Sequence, residues 1–149
     1  MFRAGCDLNE IINFLVEKLN SVDSIEKLTI IDPYFFKYSH SKFAIPKSVM
    51  VDTLSNFTEL QVLEIVTPSD YTVAKKEKLE SEIKKVIPNL ELNIIHTQGF
   101  HDRFWIINDN KGFIVGTSLN GMTNKHFFIQ DDFLSDKDIR ELLEIYREA

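Results

Sequence analysis

The hydrophobic positions along this chain switch between two spacings. From Asp7 to Ser21, Leu8, Ile11, Ile12, Leu15 and Leu19 recur at helical intervals, and Asp7 with Glu10 makes a capping-box-like start. Lys27 to Ile31 predicts a short strand, stopped at Asp32-Pro33-Tyr34-Phe35 because proline cannot continue a ladder. Phe36 to Ala44 is polar, basic and irregular, and holds His40. Pro46 suits the first turn of a second helix reaching to Asn56. Leu60 to Val66 reads as a second strand, and Thr67-Pro68-Ser69-Asp70 as the N-cap of a third helix from Tyr71 to Val86. That helix turns Val73, Leu79, Ile83 and Val86 inward, with Lys75, Lys76, Lys78, Lys84 and Lys85 on a solvated face. After Pro88-Asn89, Leu90 to His96 alternates as a third strand. Phe104 to Ile107 and Phe113 to Val115 flank the turn Asp109-Asn110-Lys111-Gly112 and predict a β-hairpin. His126 to Gln130 predicts a last strand, Asp131-Asp132 a loop, and Ser135 the cap of a terminal helix with Ile139, Leu142, Leu143 and Tyr146 inward.

This order predicts an α/β fold, a mixed sheet of about six strands flanked by helices, in one domain spanning residues 1–149. Strands that alternate with helices pair in parallel through right-handed crossovers. The fourth strand follows the third after a short loop and should run antiparallel. The ends of strands one to three, the start of strand four and the end of strand five then share one edge of the sheet. Asp32, Tyr34, Thr67, Ser69, Gln98, His101, Arg103, Thr117, Ser118 and Asn120 are expected to gather there, where open α/β sheets bind ligands.

Composition narrows the function classes. The chain has 149 residues and a net charge of −6, which argues against an extended nucleic-acid face but leaves room for a small phosphate pocket. Its one cysteine, Cys6, forms no internal disulfide and fits a reducing compartment. No apolar run approaches a membrane span and no signal-peptide pattern opens the chain, so cytoplasmic residence is the expectation. His40, His96 and His126 lack ligand spacing, and no zinc site is expected.

The chemistry concentrates at the outer ends of the hairpin. His101-Asp102-Arg103 lead in and Thr117-Ser118-Leu119-Asn120 lead out, bringing an imidazole, a guanidinium, two hydroxyls and an amide together. Such groups suit holding and attacking a phosphate ester. His101 and Arg103 are two apart on a strand, so period-two alternation puts His101, Arg103 and Trp105 on one face. Each has a plainer reading: His101 as a structural histidine, Asp102 and Arg103 as ion-pairing residues, Trp105 as core, Ser118 and Asn120 as loop-closing residues, Asp32 as a strand terminator.

His101-Asp102-Arg103, then Asn108-Asp109, then Gly116-Thr117-Ser118-Leu119-Asn120 resemble the phospholipase D superfamily motif of His-x-Lys, an aspartate, and Gly-Gly/Ser-x-Asn. The resemblance runs from Leu28 to Asn120 and extends to two degenerate branches: bacterial and phage phospholipase D-like domains, and the C-terminal phospholipase D-like domain of MIT-domain proteins. Arg103 stands where the family has lysine; Asn108 occupies the aspartate position counted from Arg103, and Ser118-Leu119-Asn120 comes one residue late after Gly116. The resemblance implies His101 as a nucleophile that forms a phosphohistidine, Arg103 and Asn120 as phosphate ligands, and Ser118 or Thr117 as a hydrogen-bond donor; Asp32 and Tyr34, gathered at the same edge, are further substrate-binding candidates. It implies no metal and no cofactor. A complete site in the family needs two motifs, so one motif implies a two-fold homodimer.

Two functions follow. The first is a phosphodiesterase, a nuclease of phage-defence or mobile-element type acting on nucleic acid. The second is a catalytically inactive module of a larger effector, binding phosphate or an anionic phospholipid head group, or serving dimerisation with other domains or proteins.

Overall fold

The computed structural model describes residues 1–147, and the His40 side chain lies outside the described part. Its elements are α1 (Leu8–Asn20), β1 (Lys27–Ile31), α2 (Ala44–Leu54), β2 (Val62–Thr67), α3 (Val73–Lys84), β3 (Glu91–His96), β4 (Arg103–Ile107), β5 (Lys111–Val115) and α4 (Asp136–Arg147). Five strands form one mixed sheet in the order β3-β2-β1-β4-β5. β1, β2 and β3 are parallel, while β4 runs antiparallel to β1 and β5 antiparallel to β4. β4 thus has the direction that the sequence predicts. It reaches its place beside β1 because the chain from Thr97 to Asp102 passes across the ends of β2 and β1.

Alternation along the strands sorts the core into two layers. Leu28, Ile30, Leu63, Ile65, Trp105, Ile107, Phe113 and Val115 join α1, α2 and α3 in the larger cluster. Ile31, Val66 and Ile106 point the other way and meet Ile139, Leu142 and Tyr146 of α4. Asp7 caps α1, its carboxylate accepting the Asn9 N–H at 2.9 Å. In α2, Pro46 sits in the first turn, where its missing N–H costs no intrahelical bond.

Four sequence expectations need correction. The sheet has five strands, not six. Residues 126–130 form only isolated bridges, Phe127 with Phe2 and Ile129 with Val115. This segment divides its pairing between the N-terminal arm and the β5 edge, so no continuous ladder forms. It does cover that edge: the Gly116 N–H donates to the Phe128 carbonyl at 2.7 Å, and the Gln130 N–H to the Ile114 carbonyl at 2.9 Å. A Cβ on Gly116 would lie 2.7 Å from the Phe128 carbonyl oxygen, so the close approach depends on glycine.

The hairpin turn also falls earlier than expected. Asn108 and Asp109 carry φ of 50° and 58°, and the Asn110 N–H donates to the Ile107 carbonyl at 3.0 Å, the pattern of a type I′ turn. Asn and Asp tolerate this conformation, and Gly112 serves instead as a strand residue beneath α4, its hydrogen-only side facing Ile139 Cδ1. Third, α3 is capped by Thr72, which accepts the Lys75 N–H, so Thr67–Asp70 is a loop ahead of the cap and Val73 is 67% exposed. Fourth, Lys75 is no solvated surface charge. Its ammonium donates to the carbonyls of Phe36 at 2.9 Å and Tyr38 at 2.7 Å, and lies over the Tyr38 ring. Among the described residues no helix is long and apolar enough to cross a membrane.

Candidate functional site

The residue that ties the site together is Asp32, immediately after β1. Its backbone N–H donates to the Val66 carbonyl at 3.0 Å, and its side chain turns inward and is buried. Oδ1 accepts the Tyr34 N–H at 2.8 Å, closing an Asx turn, and the Ser118 hydroxyl at 2.7 Å. Burial pushes the Asp32 carboxyl above its usual range, while these donors and the Arg103 guanidinium oppose that rise. The loop after β1 and the loop after β5 are therefore joined through one carboxylate.

Arg103, the first residue of β4, completes this wall. Its guanidinium carbon lies 5.7 Å from the centroid of the Tyr34 ring. Among the described residues it makes no ion pair within 4.0 Å, and its Nε is buried without a hydrogen-bond partner. Lys37 approaches the same ring at 5.6 Å and pairs with Asp70 at 2.9 Å. The backbone around Lys37 is held on three consecutive carbonyls, those of Phe36 and Tyr38 by Lys75 and its own by the Asn120 side-chain amide. Lysine and amide together fix the height of Lys37 over the site.

The result is a cleft of about 760 Å³ at the carboxyl-terminal edge of the sheet, lined by Tyr34, Lys37, Lys42, Arg103, Thr117, Ser118, Asn120, Gly121, Asn124 and Lys125. Four of these side chains are cationic in a chain of net charge −6. Thr117 and Ser118 are buried in its wall. Gly121 packs tightly against this wall: a Cβ there would stand 2.6 Å from Thr117 Oγ1, so the Thr117 side chain would have to shift. A planar donor with no carboxylate within 4.0 Å among the described residues, ringed by ammonium groups and hydroxyls, can accept an oxyanion.

Of the predicted site residues, Asp32, Tyr34, Arg103, Thr117, Ser118 and Asn120 come together around this cleft. His101 does not. Its side chain is fully exposed, with Nδ1 3.6 Å from the Asp102 carboxylate. It lines a different groove, of about 370 Å³, beside Phe104, Leu142 and Ile145. β4 starts only at Arg103, so the alternation expected to align His101 with Arg103 does not reach back to it. The turn at Gly99, with φ of 94°, precedes it.

Asn108 and Asp109 lie at the far end of the hairpin, past the full length of β4 from Arg103, about 17 Å of strand. Asn108 accepts the Glu26 and Lys27 N–H groups and donates to the Ser24 carbonyl. Asp109 pairs with Arg147 at 2.8 Å and Lys27 at 3.4 Å. Both serve the start of β1 and the end of α4, away from the cleft. Lys37, Lys42 and Lys125 were not singled out by the sequence, and Lys75 was placed on the solvated face of the third helix. The basic run Lys37 to Lys42, in an irregular segment after a strand end, was the available signal for the first two. No protein-family model matches this chain, and no curated protein matches it.

Proposed function

We propose that this chain is a phosphate-recognition module of phospholipase D-like architecture, which holds a phosphate ester in the Arg103 cleft without cleaving it. The observation that carries this reading is the unpaired Arg103 guanidinium in a cleft with three lysines, inside an acidic protein. The nearby Asp32 carboxylate acts on this guanidinium without forming an ion pair within 4.0 Å, so its N–H groups stay open to a phosphate, with two parallel N–H···O contacts available from the guanidinium plane. Ser118 spends its proton on Asp32 and Asn120 spends amide hydrogen on Lys37, so both act by positioning. The overall negative charge favours a small or terminal phosphate over a long polyanion. Cys6 as a lone thiol suits the cytoplasm.

Calorimetric titration with inorganic phosphate tests this. Saturable binding that weakens about tenfold or more in Arg103→Gln supports it. Absence of binding by the wild type overturns it.

A second reading retains phosphodiester hydrolysis by a homodimer. Its support is the full exposure of His101, which leaves the imidazole accessible to a second copy or to a substrate. Hydrolysis of bis-p-nitrophenyl phosphate and plasmid DNA with chelator present decides it. Activity abolished by His101→Ala supports a phosphohistidine route, and equal rates from both proteins remove His101 as nucleophile.

A further inference from the structure

A second cleft adjoins the phosphate cleft, and the two share Tyr34 and Lys37. It holds about 330 Å³, at the lower end of small-molecule sites, which run to roughly 1,000 Å³. Its walls come from the ends of β1, β2 and β3: Pro33 and Tyr34 on one side, Pro68 and Ser69 on another, and Gln98 to Phe100 across the top. The crossing of the chain from β3 to β4 creates it, because that segment bridges the ends of two strands.

The two clefts differ in character. The phosphate cleft has four cationic side chains, of which only Lys37 has a carboxylate partner within 4.0 Å among the described residues. The second cleft has one cation and one carboxylate, Lys37 and Asp70, and they neutralise each other at 2.9 Å. What remains is prolines, aromatic edges and uncharged hydrogen-bonding groups on Ser69, Thr97 and Gln98. Such a lining suits a flat, uncharged heterocycle. Tyr34 stands between the clefts, 47% exposed, with no aromatic neighbour among the described residues and with Arg103 and Lys37 both over its ring. One ligand with a phosphate on one side and a neutral ring on the other would span this wall.

We propose that the two clefts form one site for a nucleoside monophosphate, with its phosphate against Arg103 and its base between Tyr34, Pro68 and the Gln98–Phe100 segment. This rests on the phosphate-binding reading and names the ligand class for it. The recognised chemistry, a base-bearing terminal phosphate, exists both as a free nucleotide and at the end of a strand.

The test is isothermal titration of the full chain with adenosine 5′-monophosphate, uridine 5′-monophosphate, ribose 5-phosphate, adenosine and a 5′-phosphorylated tetranucleotide. At least one mononucleotide is expected to bind about tenfold or more tightly than ribose 5-phosphate, with adenosine alone weaker than either. Ser69→Trp, which fills the second cleft at an exposed loop position, should bring the mononucleotide down to the affinity of ribose 5-phosphate. A tetranucleotide that binds at least as well as the mononucleotide identifies a strand end, and a weaker one a free nucleotide. Equal binding of mononucleotides and ribose 5-phosphate, or an unchanged difference in Ser69→Trp, overturns the base site and leaves the phosphate site standing. If ribose 5-phosphate and inorganic phosphate also fail to bind, the phosphate reading itself has failed.

Discussion

Replacing Ser118 by alanine probes the joint between the two loops directly. Ser118 and Asp32 are 5% and 2% exposed, so water does not substitute for the lost hydroxyl. The Asp32 carboxylate keeps the Tyr34 N–H and loses the Ser118 hydroxyl. A hydrogen bond to a charged group contributes about 1.5–3 kcal/mol, and with the Tyr34 N–H still in place the loss should be about 2 kcal/mol. The effect depends on pH with a definite sign. The hydroxyl favours the ionised carboxylate, so its removal lifts Asp32 further above its usual 3.8. A raised folded value means that the native state holds this proton more tightly than the unfolded chain, so Asp32 lowers stability as pH rises above 3.8. The variant should therefore match wild type most closely in acid, where Asp32 is protonated in both, and fall behind as pH rises. Urea unfolding followed by circular dichroism at about pH 4 and about pH 8 measures this. A deficit below about 0.5 kcal/mol, or one that is the same at both pH values, refutes the assignment of Asp32 as the buried joint.

Other substitutions test separate parts of the structure. Asn108→Ala removes three backbone contacts and places alanine at a φ of 50°, and should cost about 2–3 kcal/mol in chemical denaturation without changing phosphate affinity. Gly116→Ala should cost about 1–3 kcal/mol, because its Cβ meets the Phe128 carbonyl at 2.7 Å, and amide exchange should quicken in residues 127–130. Tyr146→Phe removes a donor at 3.0 Å from the buried Glu64 carboxylate and should lower stability by about 1–3 kcal/mol in the same denaturation assay. Lys75→Met frees the Phe36 and Tyr38 carbonyls, and titration should show weaker phosphate binding although Lys75 does not line the cleft.

Much of the architecture was legible because it follows from periodicity. The stripe Leu8 to Leu19, the branched runs of β1 to β3 and the paired apolar runs of the hairpin each state one element and one buried face. The gathering of Asp32, Tyr34, Arg103 and Ser118 also followed, since strand direction alone sends those loops to one edge. What the pattern did not carry were contacts between segments distant in sequence. The capture of the Lys37 loop by Lys75 and Asn120 depends on how α3 and the β5 loop sit, and no spacing encodes it. Residues 126–130 have strand-like composition, yet pairing divided between Phe2 and Val115 denies them a ladder. His101 was placed by extending a strand rhythm two residues beyond the point where the strand begins. Asn108 and Asp109, aligned with a motif, are accounted for by the left-handed turn and by their bonds to the start of β1 and the end of α4.

The central claim is that Arg103, Lys37 and the Ser118–Gly121 turn enclose a phosphate. Nuclear magnetic resonance titration of uniformly 15N-labelled protein with inorganic phosphate tests it most directly. The account predicts saturable shifts at the Arg103 Nε–H and at the amides of 34–37 and 118–121, all lost in Arg103→Gln. Shifts that do not saturate, or that persist unchanged in Arg103→Gln, would contradict it.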